Sequence, residues 1–161
     1  MVNFNEALEP SGEEEVLFIG WEGVLTASKD TLTPLLLPRA KALRSIVEAI
    51  NPRIVVTSRA LLEPGVAGVI GKFMGRLCPK KFHGGLPFPA IADPENGGFI
   101  PDTGYPPEVP YNTWVEAMSP LSADIIVVGL DEIPGWEDKT ILVGPDGLTQ
   151  KVADEVIDRW S

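Results

Sequence analysis

Short, unbroken apolar runs recur along this chain with helix-period stretches between them, and that alternation restricts the fold more than any other feature. Val16, Leu17, Phe18 and Ile19 have no polar break, the pattern of a strand buried on both faces. Residues 124–130 (Asp-Ile-Ile-Val-Val-Gly-Leu) give the strongest strand signal, and residues 53–57 and 140–143 give shorter ones. Phe82 and His83 close a further short strand. Between these runs the period changes. Leu43, Ile46, Val47 and Ile50 share one face of a helix over 38–50, with Pro38 suited to its first turn. Residues 65–77 read as a weaker helix because Gly68, Gly71 and Gly75 oppose it. Residues 111–118 form another. Thr149 caps a last helix carrying Val152, Val156 and Trp160, after the turn signal Pro145-Asp146-Gly147. Residues 84–110 are rich in Pro and Gly and lack periodicity, and loops of that length are functional or mobile. There is no internal repeat.

Strands alternating with helices predict an α/β fold: three layers, Rossmann-like, with a mainly parallel central sheet and helices on both faces. Ligands of such sheets sit beyond the carboxyl ends of the strands. That rule brings residues 20–22, 57–59 and 129–132 to one edge.

With 161 residues the chain reads as one domain over 16–161, preceded by a flexible acidic segment over 1–15 that holds Glu6, Glu9, Glu13, Glu14 and Glu15. That segment lacks the basic and apolar regions of a signal peptide, and no stretch approaches the roughly 20 apolar residues that span a bilayer. The single cysteine, Cys78, excludes an internal disulfide and fits a reducing cytoplasm. Arg76, Lys80 and Lys81 beside it would lower its pKa, but no motif accompanies it and it reads as a structural thiol. A net charge of −10 argues against nucleic acid and against anionic membrane surfaces as partners. Between Lys81 and Lys139 no Lys or Arg occurs, which serves either solubility or an acidic face toward a cationic partner.

The segment 16–26 ends its strand in Gly20-Trp21-Glu22-Gly23-Val24-Leu25-Thr26. It resembles the opening motif of the haloacid dehalogenase (HAD) superfamily, apolar strand then Asp-x-Asp-Gly-Val-Leu. The likeness continues through Pro52-Arg53-Ile54-Val55-Val56-Thr57-Ser58-Arg59, Val127-Val128-Gly129-Leu130-Asp131-Glu132 and Leu142-Val143-Gly144-Pro145-Asp146-Gly147-Leu148-Thr149. The closer match is the small bacterial group, without a large cap domain, that also occurs in RNA-repair fusion proteins. The resemblance implies a carboxylate nucleophile, a second acid two residues on, a phosphate-binding hydroxyl, a cation, and acids for Mg²⁺. Gly20 stands at the nucleophile position and has no side chain to attack with. Glu22 replaces the acid/base Asp, and its extra methylene moves the carboxylate by roughly an ångström, a displacement that costs about 10²-fold. Thr57 matches the hydroxyl, with Ser58 as the alternative. The stretch leading to the fourth strand holds no cation, so Arg59, Lys72, Arg76, Lys80 or Lys81 would have to supply one. Asp131 and Glu132 match the Mg²⁺ acids, with weak binding expected without a carboxylate at position 20. Trp21 is expected at the mouth, filling space meant for substrate.

Other residues support no rival chemistry. His83 is the only histidine and reads as a loop-edge residue. Ser58 lacks the Gly-x-Ser-x-Gly setting of a hydrolase, and neither Gly68-Val69-Ile70-Gly71 nor Gly97-Gly98 fits a phosphate-binding fingerprint. Trp114, Trp136 and Trp160 read as core or lid packing. The expectation is a catalytically impaired HAD-fold protein that acts by binding or regulation, its partner an unknown protein or a small phosphorylated ligand. The alternative is a Mg²⁺-dependent phosphohydrolase without a protein nucleophile, using Glu22 and Asp131.

Overall fold

The computed structural model describes residues 15–28, 35–62, 64–77, 82–101, 104–118 and 124–160. Five strands form the central sheet: β1 (Glu15–Ile19), β2 (Arg53–Val56), β3 (Phe82–Gly85), β6 (Asp124–Gly129) and β7 (Thr140–Leu142). A separate ribbon pairs β4 (Ala90–Ala92) with β5 (Phe99–Pro101). The helices are α1 (Leu37–Ala49), α2 (Pro64–Leu77), α3 (Val109–Met118) and α4 (Gln150–Trp160).

The sheet order is β3-β2-β1-β6-β7, with every pairing parallel. Parallel neighbours need crossovers, and helical segments supply most of them. The order reverses direction between β1 and β6, which makes their carboxyl ends the switch point where such sheets open a crevice. Side chains alternate across the strands. Leu17, Ile19, Ile54, Val56, Ile126 and Val128 enter one core with residues of α1, α2 and α4. Val16, Phe18, Val55, Ile125 and Val127 enter a second core with Trp114 of α3 and Trp136. These two cores are why the runs are continuously apolar: period-2 alternation places each residue against a different helical layer. Phe18 anchors the second core, with its ring edge-on to Tyr111, Trp114 and Trp136 at 5.5, 5.0 and 5.9 Å.

The α/β, three-layer, mainly parallel architecture is thus the observed one, and element boundaries fall within about two residues of those read from the sequence. Helix α1 stops where Asn51 takes a left-handed backbone (φ 55°) ahead of Pro52. Thr149 caps α4, its Oγ1 accepting from the Val152 amide at 3.2 Å.

Three expectations need correction. The loop over 84–110 is not featureless. Its first two residues end β3, α3 begins at Val109 rather than Tyr111, and the β4–β5 ribbon lies between. Strands of three residues are too short to show a period. The ribbon's turn closes through Asp93, whose carboxylate accepts the amides of Glu95 and Asn96 at 3.0 and 3.3 Å. Those backbone donors hold the Asp93 carboxyl below its usual range. The second correction is Glu15, which opens β1 opposite Asp124. The rest of the acidic segment over 1–15 lies outside the described residues. The third is Trp21, taken up below. Among the described residues, no helix is long and apolar enough to cross a membrane.

Candidate functional site

The strand ends hold the site in register. The Gly20 amide donates to Val128 O at 3.0 Å, and the Thr57 amide donates to Ile19 O at 2.9 Å. These bonds extend both ladders of β1 by one step and align the ends of β1, β2 and β6. Beyond them lies a cavity of about 470 Å³. All three sequence-predicted segments reach it: Gly20, Trp21 and Glu22; Thr57, Ser58 and Arg59; Asp131 and Glu132.

After Gly20 the chain makes one helical turn. The amides of Leu25 and Thr26 both donate to Trp21 O, at 3.0 and 3.2 Å, and Thr26 pairs antiparallel with Leu35 beyond. This turn presents Glu22 to the cavity, and the Ser58 hydroxyl donates to its Oε1. Ser58 is buried, so this bond ties the β1 turn to the end of β2 and orients the carboxylate. Trp21 borders the cavity from below, with its ring turned inward. Its side chain is 2% exposed and its ring meets Phe73 of α2 edge-on at 6.0 Å. It belongs to the core beneath the cavity and does not plug the mouth; an indole gains more from burial than from a half-wet position.

Sequence reasoning missed four side chains. Tyr105 and Tyr111, the only two tyrosines of the chain, both line the cavity, as does Phe88. Burial pushes the Tyr111 phenol above its ordinary range; a hydrogen bond with the Thr57 side chain opposes this, and the Asp131 carboxylate adds to it. Arg59 is bracketed by the other two. Its guanidinium lies 5.6 Å from the Phe88 ring centre and 5.4 Å from that of Tyr105, and it donates to the Tyr105 hydroxyl at 2.5 Å. Thus the long loop does form a wall of the site. The sequence signal for this was the clustering of aromatic and Pro residues at the loop's two ends. Tyr111 stays protonated beyond the ordinary phenol value of about 10, so the unfolded chain loses that proton first. Stability is therefore expected to fall as pH rises from about 10 toward the folded-state value. Spectrophotometric titration of tyrosinate absorbance should show one delayed step that Tyr111→Phe removes.

The fourth is Arg39 of α1, buried at 9% exposure. Its Nη1 donates to the carbonyls of Gly23, at 3.1 Å, and Thr26, and its Nη2 donates to Pro145 O at 3.1 Å. It therefore fastens the turn carrying Glu22 to the loop after β7. Gly147 completes the knot. Its φ is +62°, and a Cβ there would lie 2.6 Å from Val24 O and against the Arg39 guanidinium. No sequence motif marks Arg39, because its acceptors are backbone carbonyls from distant segments.

Gly20 is packed as a glycine. A Cβ built on it would lie 2.8 Å from Val24 Cγ2 and 3.8 Å from Thr57 Oγ1. Among the described residues the charged side chains lining the cavity are Glu22, Arg59, Asp131 and Glu132, three carboxylates against one guanidinium. Asp131 and Glu132 are exposed on the rim. Two adjacent carboxylates fit the habit of Mg²⁺, which takes one or two together with water and substrate phosphate. Among the described residues no group of three or more His, Cys, Asp or Glu could hold an ion. Lys72 and Arg76 lie on α2 and do not line the cavity. Cys78, Lys80 and Lys81 lie outside the described residues, as does the side chain of His83. Comparison with known proteins finds no matching family model, curated protein or solved structure.

Proposed function

We propose that this chain is a HAD-like cytoplasmic protein that has given up the aspartyl-phosphate route and acts by binding or regulation through the cavity at its strand ends. The observation that carries this reading is the packing at position 20. A Val24 methyl lies 2.8 Å from where a Cβ would stand, so any side chain at position 20, a nucleophile's included, would require Val24 to shift. The charge balance agrees with it. Phosphoryl transfer needs cations around the transferring group, and among the described lining residues carboxylates outnumber the one guanidinium. That guanidinium is already stacked and hydrogen-bonded by the loop. The occupant is a small ligand or a segment of a partner protein; the net charge speaks against nucleic acid.

A second reading has one observation in its favour: Glu22, Thr57 and Asp131 face the same cavity. In it Glu22, oriented by Ser58, accepts a proton from water and the Thr57 hydroxyl orients a phosphoester. Asp131 and Glu132 would hold Mg²⁺, which supplies charge neutralisation at phosphoryl oxygens when bound.

One experiment separates the two. Wild type, Gly20→Asp and Asp131→Asn are assayed for Mg²⁺-dependent phosphate release from a phosphoester panel. On the binding reading none of the three shows activity above background. Gly20→Asp also loses about 1–3 kcal/mol of stability in urea unfolding, because the new side chain must displace Val24. Wild-type turnover that disappears in Asp131→Asn and in Glu22→Gln would instead establish the second reading.

A further inference from the structure

The charges of this chain are segregated along its sequence. Residues 29–81 carry ten of its thirteen Lys and Arg but only three of its twenty-three Asp and Glu. Helices α1 and α2 alone hold Arg39, Lys41, Arg44, Lys72 and Arg76 against a single acid, Glu48. Between these helices lies a groove of about 340 Å³. Its apolar lining includes Leu37, Phe73 and Leu77, its cations are Lys41, Arg44 and Arg76, and no acidic residue among the described ones lines it. Leu37 is 67% exposed on its rim, the highest value for a large apolar side chain among the described residues.

The complementary surface is on the same molecule. In the β4–β5 ribbon Ile91 pairs with Ile100, and both remain exposed, at 49% and 40%. β4 is exposed along its whole length. The turn joining the strands carries Asp93 and Glu95, inside the window from Lys81 to Lys139 that has no Lys or Arg. One patch is apolar with a basic border, and the other is apolar with an acidic border. Each alone is a surface an isolated domain avoids, since exposed apolar side chains gain by being covered and open ribbon edges invite pairing.

We propose that the ribbon of one copy seats in the α1–α2 groove of a second copy, head to tail. Ile91 and Ile100 cover Leu37, Phe73 and Leu77, while Asp93 and Glu95 meet Lys41, Arg44 and Arg76. The two patches differ, so the contact is heterologous and leaves each copy with one open patch at either end of a chain of copies unless the rotation closes a ring. A three-residue ribbon covers little area, which places the association among weak, transient contacts. Its charge pairing makes it sensitive to salt. The contact is independent of the cavity at the strand ends.

The test uses two variants of the full chain. Lys41→Glu with Arg76→Glu disables the groove, and Ile91→Ser with Glu95→Lys disables the ribbon. Asp93 is left intact because it holds the turn. Mass is followed by sedimentation equilibrium from about 10 µM to about 1 mM, a range that spans weak association. Wild type is expected to gain mass with concentration and to lose that gain at high salt. Each variant alone associates at least tenfold more weakly. An equimolar mixture recovers a one-to-one complex and stops there, because one groove and one ribbon remain intact. That recovery also shows that both variants are folded. Wild type that stays monomeric throughout overturns the proposal. A mixture that stays monomeric while wild type associates overturns it too, because the contact then lies elsewhere. A monomeric wild type whose groove binds a synthetic acidic, leucine-bearing peptide overturns it in favour of a foreign acidic partner.

Discussion

Truncation of Trp21 to alanine is expected to lower the unfolding free energy by about 3–5 kcal/mol, the range for deleting a large aromatic from a packed core. The indole is 2% exposed and sits among Leu25, Leu43, Ile70 and Met74 in the core shared by α1 and α2, against Phe73. The cavity left behind would border the one at the strand ends, so the loss should be near the top of the range where neighbours cannot collapse. Trp21→Phe should recover most of it, because a ring is restored. Urea unfolding with an unchanged slope is the measurement. A loss below about 1 kcal/mol would return Trp21 to the mouth of the site, where truncating a half-exposed side chain costs little.

Replacing Arg39 by methionine is expected to cost about 3 kcal/mol, although the aliphatic stem is kept. The guanidinium satisfies the carbonyls of Gly23 and Thr26 in a buried setting and that of Pro145 in a half-buried one. Removing it leaves the Gly23 and Thr26 carbonyls as acceptors that the core cannot hydrate, at about 1–3 kcal/mol for each and with less than full additivity. Arg39→Lys should recover only part, since one ammonium cannot span acceptors that the planar fork reaches from two nitrogens. The same substitution should loosen the turn that carries Glu22. Hydrogen exchange at the Leu25 and Thr26 amides should therefore rise more than at the β6 amides. Uniform exchange at both places would mean that Arg39 supports the whole fold and not that turn.

These two residues mark the limit of what the chain's linear pattern reveals. The strands over 16–19, 53–56 and 124–129 were legible because burial on both sheet faces writes itself as an unbroken apolar run. The site segments were legible because parallel sheets gather loops at the carboxyl ends of their strands. Trp21 was misplaced because the alternation rule stops where the strand stops. Past Gly20 a side chain's direction follows from the helical turn, and nothing in the residues 20–26 announces a turn with two amides on one carbonyl. The ribbon over 90–101 escaped for a different reason, since its strands are shorter than any period can reveal.

The α/β layering, the glycine at position 20, and the separation of basic residues in 29–81 from the acidic remainder are all written in the chain itself. All three are local or compositional, and need no knowledge of what touches what. It takes the folded packing to show that Ser58 holds Glu22, that Tyr111 bonds Thr57, that Tyr105 and Phe88 bracket Arg59, and that Val24 sits against Gly20. The first three join residues 36, 54 and about 30–46 positions apart. Those contacts depend on the order and register of strands, which are set by packing of the whole core rather than by any local preference. The Val24 contact is near in sequence, yet it too follows from the fold. It exists only because the turn after β1 brings the chain back over its own strand end.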